Sequence, residues 1–337
     1  MRLLFSCVGR RGYLADYFRS HLSASDQILG TSNSEWTPGF AACDASFLLP
    51  DIRSDEYVPA LIELCIQEGV DALLSFFDPD VDRLSRHRAE LQHAGVIPIV
   101  PSQRASEIGF DKHRTPAFLA EAGLNHATTY TDLGLATDAL TEGTLKFPLV
   151  VKPRFGFGSR HLFVARDPDE LNAFFGYAPD MMIQRWFAGQ EYHLDVLDDL
   201  EGNVVSVVPK RKTVMRAGET DQAVTVDDPE LLALGETLGR ALGRIGHVGP
   251  LDVDLFVEDG EPHVLELNPR FGGGYPLSHL AGADFPGLLI AMLRGETLAP
   301  RIGSYERGVM MMKDYAVLGG SLADFAARVS DRRRAAR

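Results

Sequence analysis

Residues 249–274 read GPLDVDLFVEDGEPHVLELNPRFGGG, and the rest of the chain is organised around this stretch. Two strands meet at Glu258-Asp259-Gly260-Glu261, a turn signal because Asp and Gly tolerate the positive φ that hairpin loops need. On the first strand Leu251, Val253, Leu255 and Val257 share one face, and Asp252 and Asp254 share the other. On the second, His263, Leu265 and Leu267 alternate with Val264, Glu266 and Asn268. If both apolar rows pack on one core, odd-numbered residues must pair with odd ones. A plain two-residue Asp-Gly turn pairs 258 with 261 and puts the rows on opposite faces. The sequence therefore predicts an odd-length loop or a bulge, which sets Asp254 close to Glu266 and Asn268. Oxygen donors gathered on a rigid sheet suit Mg²⁺, which prefers carboxylates plus substrate phosphates to an all-protein cage.

Composition narrows the function classes. The chain has 337 residues, 45% hydrophobic and 24% charged, enough for two or three domains with substantial cores. Its formal charge, 33 − 47 = −14, argues against a general binder of nucleic acid or anionic membrane. Three cysteines, Cys7, Cys43 and Cys65, form no CxxC pair and suit a reducing cytosol, so a cytoplasmic location is expected. The apolar run 288–293 is far too short to span a bilayer. Arg10-Arg11 resembles a twin-arginine signal, but Asp16, Arg19 and His21 deny it the uninterrupted apolar segment that export requires, and the export reading is set aside.

From the N-terminus to residue 105 short apolar strands alternate with helical stretches. Strands are expected at 3–8, 28–30, 45–49, 72–75 and 96–99, and helices at 13–22, 57–68 and 79–94. This order favours a doubly wound, mainly parallel sheet. A ligand then sits at the carboxyl ends of the strands, beside the Gly9–Gly12 loop and Asp78-Pro79-Asp80. The loop is G-x-x-G rather than G-x-G-x-x-G, and no acid lies beyond the second strand to take a ribose, which excludes a nicotinamide site. Gly9 and Gly12 then read as a tight turn. Arg10 and Arg11 are either solvated or hold a substrate carboxylate or phosphate.

Asp111 is expected to cap a helix running to Gly123, with Lys112 in its first turn. Residues 147–153 form an apolar strand ending in Lys152, then a Gly156–Gly158 turn and a returning strand; such turns can fold backbone N–H groups over phosphates. The loop is not a Walker A motif. Strand 181–184 runs into Arg185, Trp186, Phe187 and Glu191, where backbone groups suit an adenine ring and Glu191 a ribose diol; Trp186 and Phe187 are equally readable as core. Strand 203–208 leads to Lys210-Arg211-Lys212 and Arg216, a basic cluster for which phosphate is a natural partner. A helix over 229–243 returns to the hairpin.

Together these pieces resemble the ATP-grasp superfamily, particularly its carbamoyl-phosphate-synthetase-like and biotin-carboxylase-like carboxylate ligases. The resemblance runs in order through Asp111-Lys112, Val151-Lys152-Pro153, the Gly156–Gly158 loop, Gly189-Gln190-Glu191-Tyr192 and Glu266-Leu267-Asn268-Pro269-Arg270. It implies an α/β, Rossmann-like pre-ATP-grasp domain over 1–105, and after it a two-subdomain α+β ATP-grasp fold. The small lid subdomain is expected over 106–185, the C-terminal subdomain with the metal site over 186–318, and a helix and tail over 319–337. ATP then lies between the subdomains. Lys112 and Lys152 contact it, residues Gly156, Gly158 and Ser159 close over the phosphates, Gln184, Arg185, Trp186 and Phe187 border the adenine, and Glu191 takes the ribose, with Lys210 near the phosphates. Asp254, Glu266 and Asn268 hold Mg²⁺, with Mn²⁺ as a substitute, and Arg270 faces the γ-phosphate. Two departures stand out: Arg185 replaces a commonly acidic residue, and Asp254 stands where the carbamoyl-phosphate branch often has glutamine.

The chemistry implied is activation of a carboxylate as an acyl phosphate, which an amine displaces. Such phosphoryl transfer needs positioning and charge neutralisation more than a protein nucleophile. The resemblance places Arg270, Lys152 and Arg211 in catalysis, and Arg10, Arg11, Asp78, Arg216 and the Gly272-Gly273-Gly274 loop around the substrates. An amino acid or small peptide is the expected substrate, and a homodimer the expected state, since many relatives are dimers. The alternatives are a bicarbonate- or purine-type ligase, and a nucleotide-binding sensor without turnover.

Overall fold

The computed structural model describes residues 1–156, 158, 160–314, 316–327 and 329. Three sheets carry the architecture. The first comprises β1 (Arg2–Ser6), α1 (Gly12–Arg19), β2 (Gln27–Ser32), β3 (Ala45–Leu48), α2 (Tyr57–Glu68), β4 (Ala72–Ser75), α3 (Asp78–Arg86), α4 (Arg88–His93) and β5 (Ile97–Ile99). Its five strands lie in the order β3-β2-β1-β4-β5, all parallel. Apolar residues on both faces make this possible: Leu4, Leu29 and Leu73 pack under α2, while Leu3, Phe5 and Leu74 face the other way. The helix expected over 79–94 is broken at His87, whose φ of −110° and ψ of 16° leave the helical region.

A connection of α5 (Gln103–Phe110) and α6 (Thr115–Glu121) leads to a small antiparallel sheet. That sheet has β6 (Thr129–Tyr130), α7 (Leu133–Thr141), β7 (Leu149–Pro153), β8 (Phe163–Ala165), α8 (Pro168–Phe175) and β9 (Met181–Arg185), in the order β6-β9-β7-β8. Asp111 does not cap a helix N-terminus as expected; it ends α5. Its carboxylate accepts two hydrogen bonds from Arg154, both 2.6 Å, and one from the His113 N–H at 3.1 Å. The bidentate pair ties the end of β7 to the connection.

The large sheet holds β10 (Gln190–Asp198), β11 (Val204–Arg216), β12 (Glu219–Thr225), α9 (Pro229–Gly243), β13 (Gly249–Glu258), β14 (Glu261–Asn268), α10 (Tyr275–Leu280), α11 (Phe285–Leu293) and β15 (Met310–Met312). Its order is β14-β13-β10-β11-β12-β15, antiparallel throughout. Helix α9 begins where Asp228 accepts from the N–H groups of Glu230 and Leu231 at 3.0 and 3.1 Å, and packs Leu231, Leu234 and Leu238 onto β10 and β11. The opening hairpin resolves its parity conflict with a bulge. Glu258 pairs with Glu261 across Asp259-Gly260, both at positive φ, and the register shifts between Asp254 and Leu255. Leu255 pairs with Val264 and Asp254 with Glu266, so Leu265 is the extra residue. Val264 therefore joins Leu267 in the core, and Leu265, expected inside, turns out to the opposite side.

A shared apolar core joins the parallel sheet to the large subdomain: Phe5 and Phe18 pack with Phe271, Tyr275 and Phe285. After β15, α12 (Leu322–Ala326) closes the described chain, and Val329 makes a parallel bridge to Ser46 of β3. Among the described residues no helix is long and apolar enough to cross a membrane.

Candidate functional site

Residues Asp252, Asp254, Glu266 and Asn268 share the outward face that the bulge creates. Asp254 lies directly opposite Glu266, and Asp252 opposite Asn268. Like charges directly opposed on a sheet repel, so this face needs cations. Lysines supply them. Lys212 of β11 reaches across β10; its Nζ donates to Asp254 Oδ1 and, at 2.7 Å, to Glu191 Oε1. Burial opposes the Lys212 ammonium, but the Asp254 and Glu191 carboxylates outweigh it and hold its pKa above the ordinary lysine value. Lys112 and Lys152 approach Glu266 at 3.5 and 3.9 Å, and Lys112 also donates to the Gly156 carbonyl at 2.7 Å. Burial lowers the Lys152 pKa, Glu266 opposing it.

Arg270, just past β14, is clamped between domains. Its Nε and Nη2 donate to the two oxygens of Asp78 at 2.9 and 3.3 Å, and its Nη1 donates to Asp252 Oδ2 at 2.8 Å. Asp78 opens α3 of the N-terminal domain, so this pair crosses the domain boundary. Burial works against the guanidinium, yet Asp78 and Asp252 hold its pKa above the arginine norm. Asp252 Oδ1 also lies 3.3 Å from Nδ1 of His193, a buried imidazole whose pKa is lowered by burial first and by Lys210 second. Its neutral form can donate Nδ1–H to Asp252. Burial would raise the Asp252 pKa, but the His193 contact and Arg270 hold it well below the carboxylate norm. The glycines after Arg270 make room for this cluster. A Cβ on Gly274 would come within 1.9 Å of His193 Cε1, and one on Gly272 within 2.4 Å of Asp252 Oδ1.

All this opens into one cleft of about 880 Å³ between the three sheets. Its N-terminal wall is the carboxyl end of the parallel sheet, where Tyr57 donates to buried Asp80 at 2.7 Å and shares a hydrogen bond with Ser6 at 2.8 Å. Of the residues singled out from sequence, Arg10, Arg11, Asp78, Lys112, Lys152, Gly156, Gly158, Glu191, Asp254, Glu266, Asn268, Arg270, Gly273 and Gly274 line it. Ser159 lies outside the described residues.

Other expected residues sit elsewhere. Lys210 is fully buried, its Nζ on Asp195 and 3.3 Å from the Gly274 carbonyl, so it supports the glycine loop rather than meeting phosphates. Arg211, on the opposite side of the same strand, is exposed and away from the cleft; strand alternation rules out its catalytic placement. Arg216 pairs with Asp221 at 3.4 Å near the hairpin tip, also outside the cleft. Gly272 packs behind the cleft on Asp252. Gln184 is buried and donates to Thr129 at 3.3 Å, and Arg185 turns to Glu258 and stacks over Phe187. Phe187 is core, stacked on Phe256, and Trp186 is half-buried beside it, so none of the four lines the cleft. His193 and Glu219, which sequence reading passes over, line the cleft, as do Lys212, read only as part of a basic cluster, and Asp252, read only as sharing a strand face with Asp254. The alternation that removes Arg211 points to Lys212.

Among the described residues no group of three or more His, Cys, Asp or Glu could alone hold a metal ion. Two facing carboxylates and an amide, all oxygen donors on adjacent strands, fit instead a Mg²⁺ that completes its shell with phosphates. Mn²⁺ suits the same donors.

Known proteins carry the same parts. Residues 3–99 match the family described as PylC-like, N-terminal domain, and residues 177–313 match ATP-grasp in the biosynthetic pathway with Ter operon. The carbamoyl phosphate synthase large chain of Gemmatimonas aurantiaca is 24% identical over 222 residues, 62% of this chain and 20% of that one. The D-alanine–D-alanine ligase of Geobacter sulfurreducens is 31% identical over 150 residues, 40% of this chain and 46% of that one. The chain thus spans about a fifth of the length of the first relative and under half of the second. The biotin carboxylase domain of Hydrogenobacter thermophilus 2-oxoglutarate carboxylase, solved with MgADP and bicarbonate, superposes with a TM-score of 0.75 at 17% identity, covering 92% of this chain and 73% of that one. The chain thus carries a PylC-like N-terminal domain over residues 3–99 and, over 177–313, a match to an ATP-grasp family.

Proposed function

We propose that this chain is an ATP- and Mg²⁺-dependent ligase that activates a carboxylate as an acyl phosphate and joins it to an amine, an amino acid or small peptide, releasing ADP and phosphate. The observation that carries this reading is the convergence of Lys112, Lys152, Asp254, Glu266 and Arg270, from both antiparallel sheets and their connections, on one cleft. Lys112 and Lys152 neutralise phosphate charge and Arg270 that of the transferred group; Asp254, Glu266 and Asn268 hold the metal. Bound Mg²⁺ supplies charge neutralisation at the phosphate oxygens. The carboxylate oxygen takes the γ-phosphoryl group and ADP leaves; the neutral amine then attacks the carbonyl carbon, phosphate departs, and the amine loses its proton. Gly156, held by the Lys112 bond to its carbonyl, and Gly158 stand at the cleft, where they would cover the acyl phosphate and keep water out. A sensor would need no arginine clamped at the γ-phosphate side of the nucleotide.

A phosphate-release screen over paired amino acids tests the reading, with Glu266→Ala as the inactive control and bicarbonate as a separate acid. ADP and phosphate are expected with at least one pair. ATP binding without ADP formation for every pair would overturn the ligase assignment, and full activity in Glu266→Ala would overturn the metal site.

A further inference from the structure

A second charged cluster borders the cleft beside the Arg270 loop, with Arg11 and Glu219 on its wall. Glu219, at the start of β12, stands between two cations from different parts of the fold. Arg11, in the loop between β1 and α1, is 3.9 Å away, and Lys313, just past β15, is 3.5 Å away. The Arg11 guanidinium is fixed from behind by donating to the Phe271 carbonyl. Lys313 is held by the backbone bond from its N–H to the Asp221 carbonyl at 3.0 Å, and the Asp221 side chain is already engaged by Arg216. The two cations are three-quarters buried or more, whereas the Glu219 carboxylate is 56% exposed. Gly273 lies against it, since a Cβ there would stand 3.4 Å from the Glu219 carboxyl carbon. Two cations thus share one carboxylate at loose distances, on the wall where Arg11, Glu219 and Gly273 face the cleft. Burial lowers the Lys313 pKa, and Glu219 and, less strongly, Asp221 pull it back up.

We propose that Arg11, Glu219 and Lys313 form the recognition site for the charged head of an α-amino acid, the amine component of the reaction: Glu219 takes the α-ammonium, and Arg11 and Lys313 take the α-carboxylate. The proposal rests on the ligase reading above for the substrate's role, but the geometry of one acid flanked by two cations is that of a zwitterion's complement in its own right. A cluster serving only to tether the domains would leave ligand binding unchanged when cut.

The test is equilibrium binding, independent of turnover. Isothermal titration of the full chain, loaded with Mg²⁺ and a non-hydrolysable ATP analogue, is run with each of the twenty free amino acids. Active ligands are then repeated as carboxamides and as N-acetyl derivatives. Binding of at least one free amino acid is expected, weakened tenfold or more in either derivative. Glu219→Gln and Lys313→Met should each weaken it at least tenfold while the nucleotide affinity stays within twofold. Equal binding of free acid, amide and N-acetyl forms overturns the proposal, as does binding that both variants retain, or no binding of any amino acid. Binding with this pattern but no ADP release leaves the subsite standing and removes the ligase reading instead.

Discussion

Lys212 shows how much one strand position decides. In the run Lys210-Arg211-Lys212 all three residues carry the same charge, and composition cannot rank them. The pleat can: Lys210 and Lys212 project to one side of β11 and Arg211 to the other. Distance from the sheet's middle then separates the two lysines, Lys210 buried on Asp195 and Lys212 at the cleft on Glu191 and Asp254. Because the Lys212 ammonium neutralises the same carboxylate that is proposed to take Mg²⁺, ion and lysine compete for it. Lys212→Met should therefore bind Mn²⁺ more tightly than the wild type in the absence of nucleotide, measured by electron paramagnetic resonance, while ATP turnover falls at least tenfold. Weaker Mn²⁺ binding would show that Lys212 organises the acids rather than competing for them. The glycines are legible as a loop, but not which of them matters, because that depends on neighbours far away in sequence. Gly274 abuts His193, so Gly274→Ala should destabilise by about 1–3 kcal/mol in denaturant unfolding. Gly273→Ala, whose Cβ would meet only the Glu219 side chain and at 3.4 Å or more, should stay within about 0.5 kcal/mol of wild type. Equal costs would contradict this placement.

Among elements, the β13–β14 hairpin is the most legible, because two apolar rows with conflicting parity leave few solutions. The sequence does not say where the extra residue falls, and the bulge at Leu265 moves Val264 into the core. Deleting Leu265 should let the pairing run on unbroken with Glu266 still opposite Asp254 and Asn268 opposite Asp252; retained far-ultraviolet circular dichroism and retained Mn²⁺ binding are the expected result, and loss of Mn²⁺ binding with the fold intact would contradict it. The α5–α6 connection misleads because Asp111 before a helical run looks like a cap, whereas its partner Arg154 is 43 residues away. Burial would raise the Asp111 pKa, but the Arg154 bonds outweigh it and hold the carboxyl below the ordinary range. The folded state therefore binds fewer protons than the unfolded one. Asp111's contribution is complete above the normal carboxylate pKa and is lost as pH falls through the lowered folded value. Arg154→Met should cost about 2 kcal/mol at pH 7. The gap to wild type should narrow in denaturant titrations as pH falls below about 4, the ordinary aspartate value; parallel curves would mean that the pair is not pH-linked.

Across the whole molecule, the parallel sheet, the small antiparallel sheet and the large sheet each arise from local pattern, and their order along the chain is legible. Their meeting is not. The Arg270–Asp78 clamp spans 192 residues, and the shared core of Phe5, Phe18, Phe271 and Tyr275 joins segments that no periodicity links. That meeting creates the cleft in which, under the proposed function, a carboxylate receives a phosphoryl group before an amine arrives. The most direct measurement uses an acid substrate whose carboxylate is labelled with ¹⁸O, incubated with Mg·ATP and its amine partner, with the released phosphate analysed by mass spectrometry. The account predicts one ¹⁸O atom in each phosphate formed by the wild type and no labelled phosphate from Glu266→Ala. Amide formation with unlabelled phosphate would contradict it.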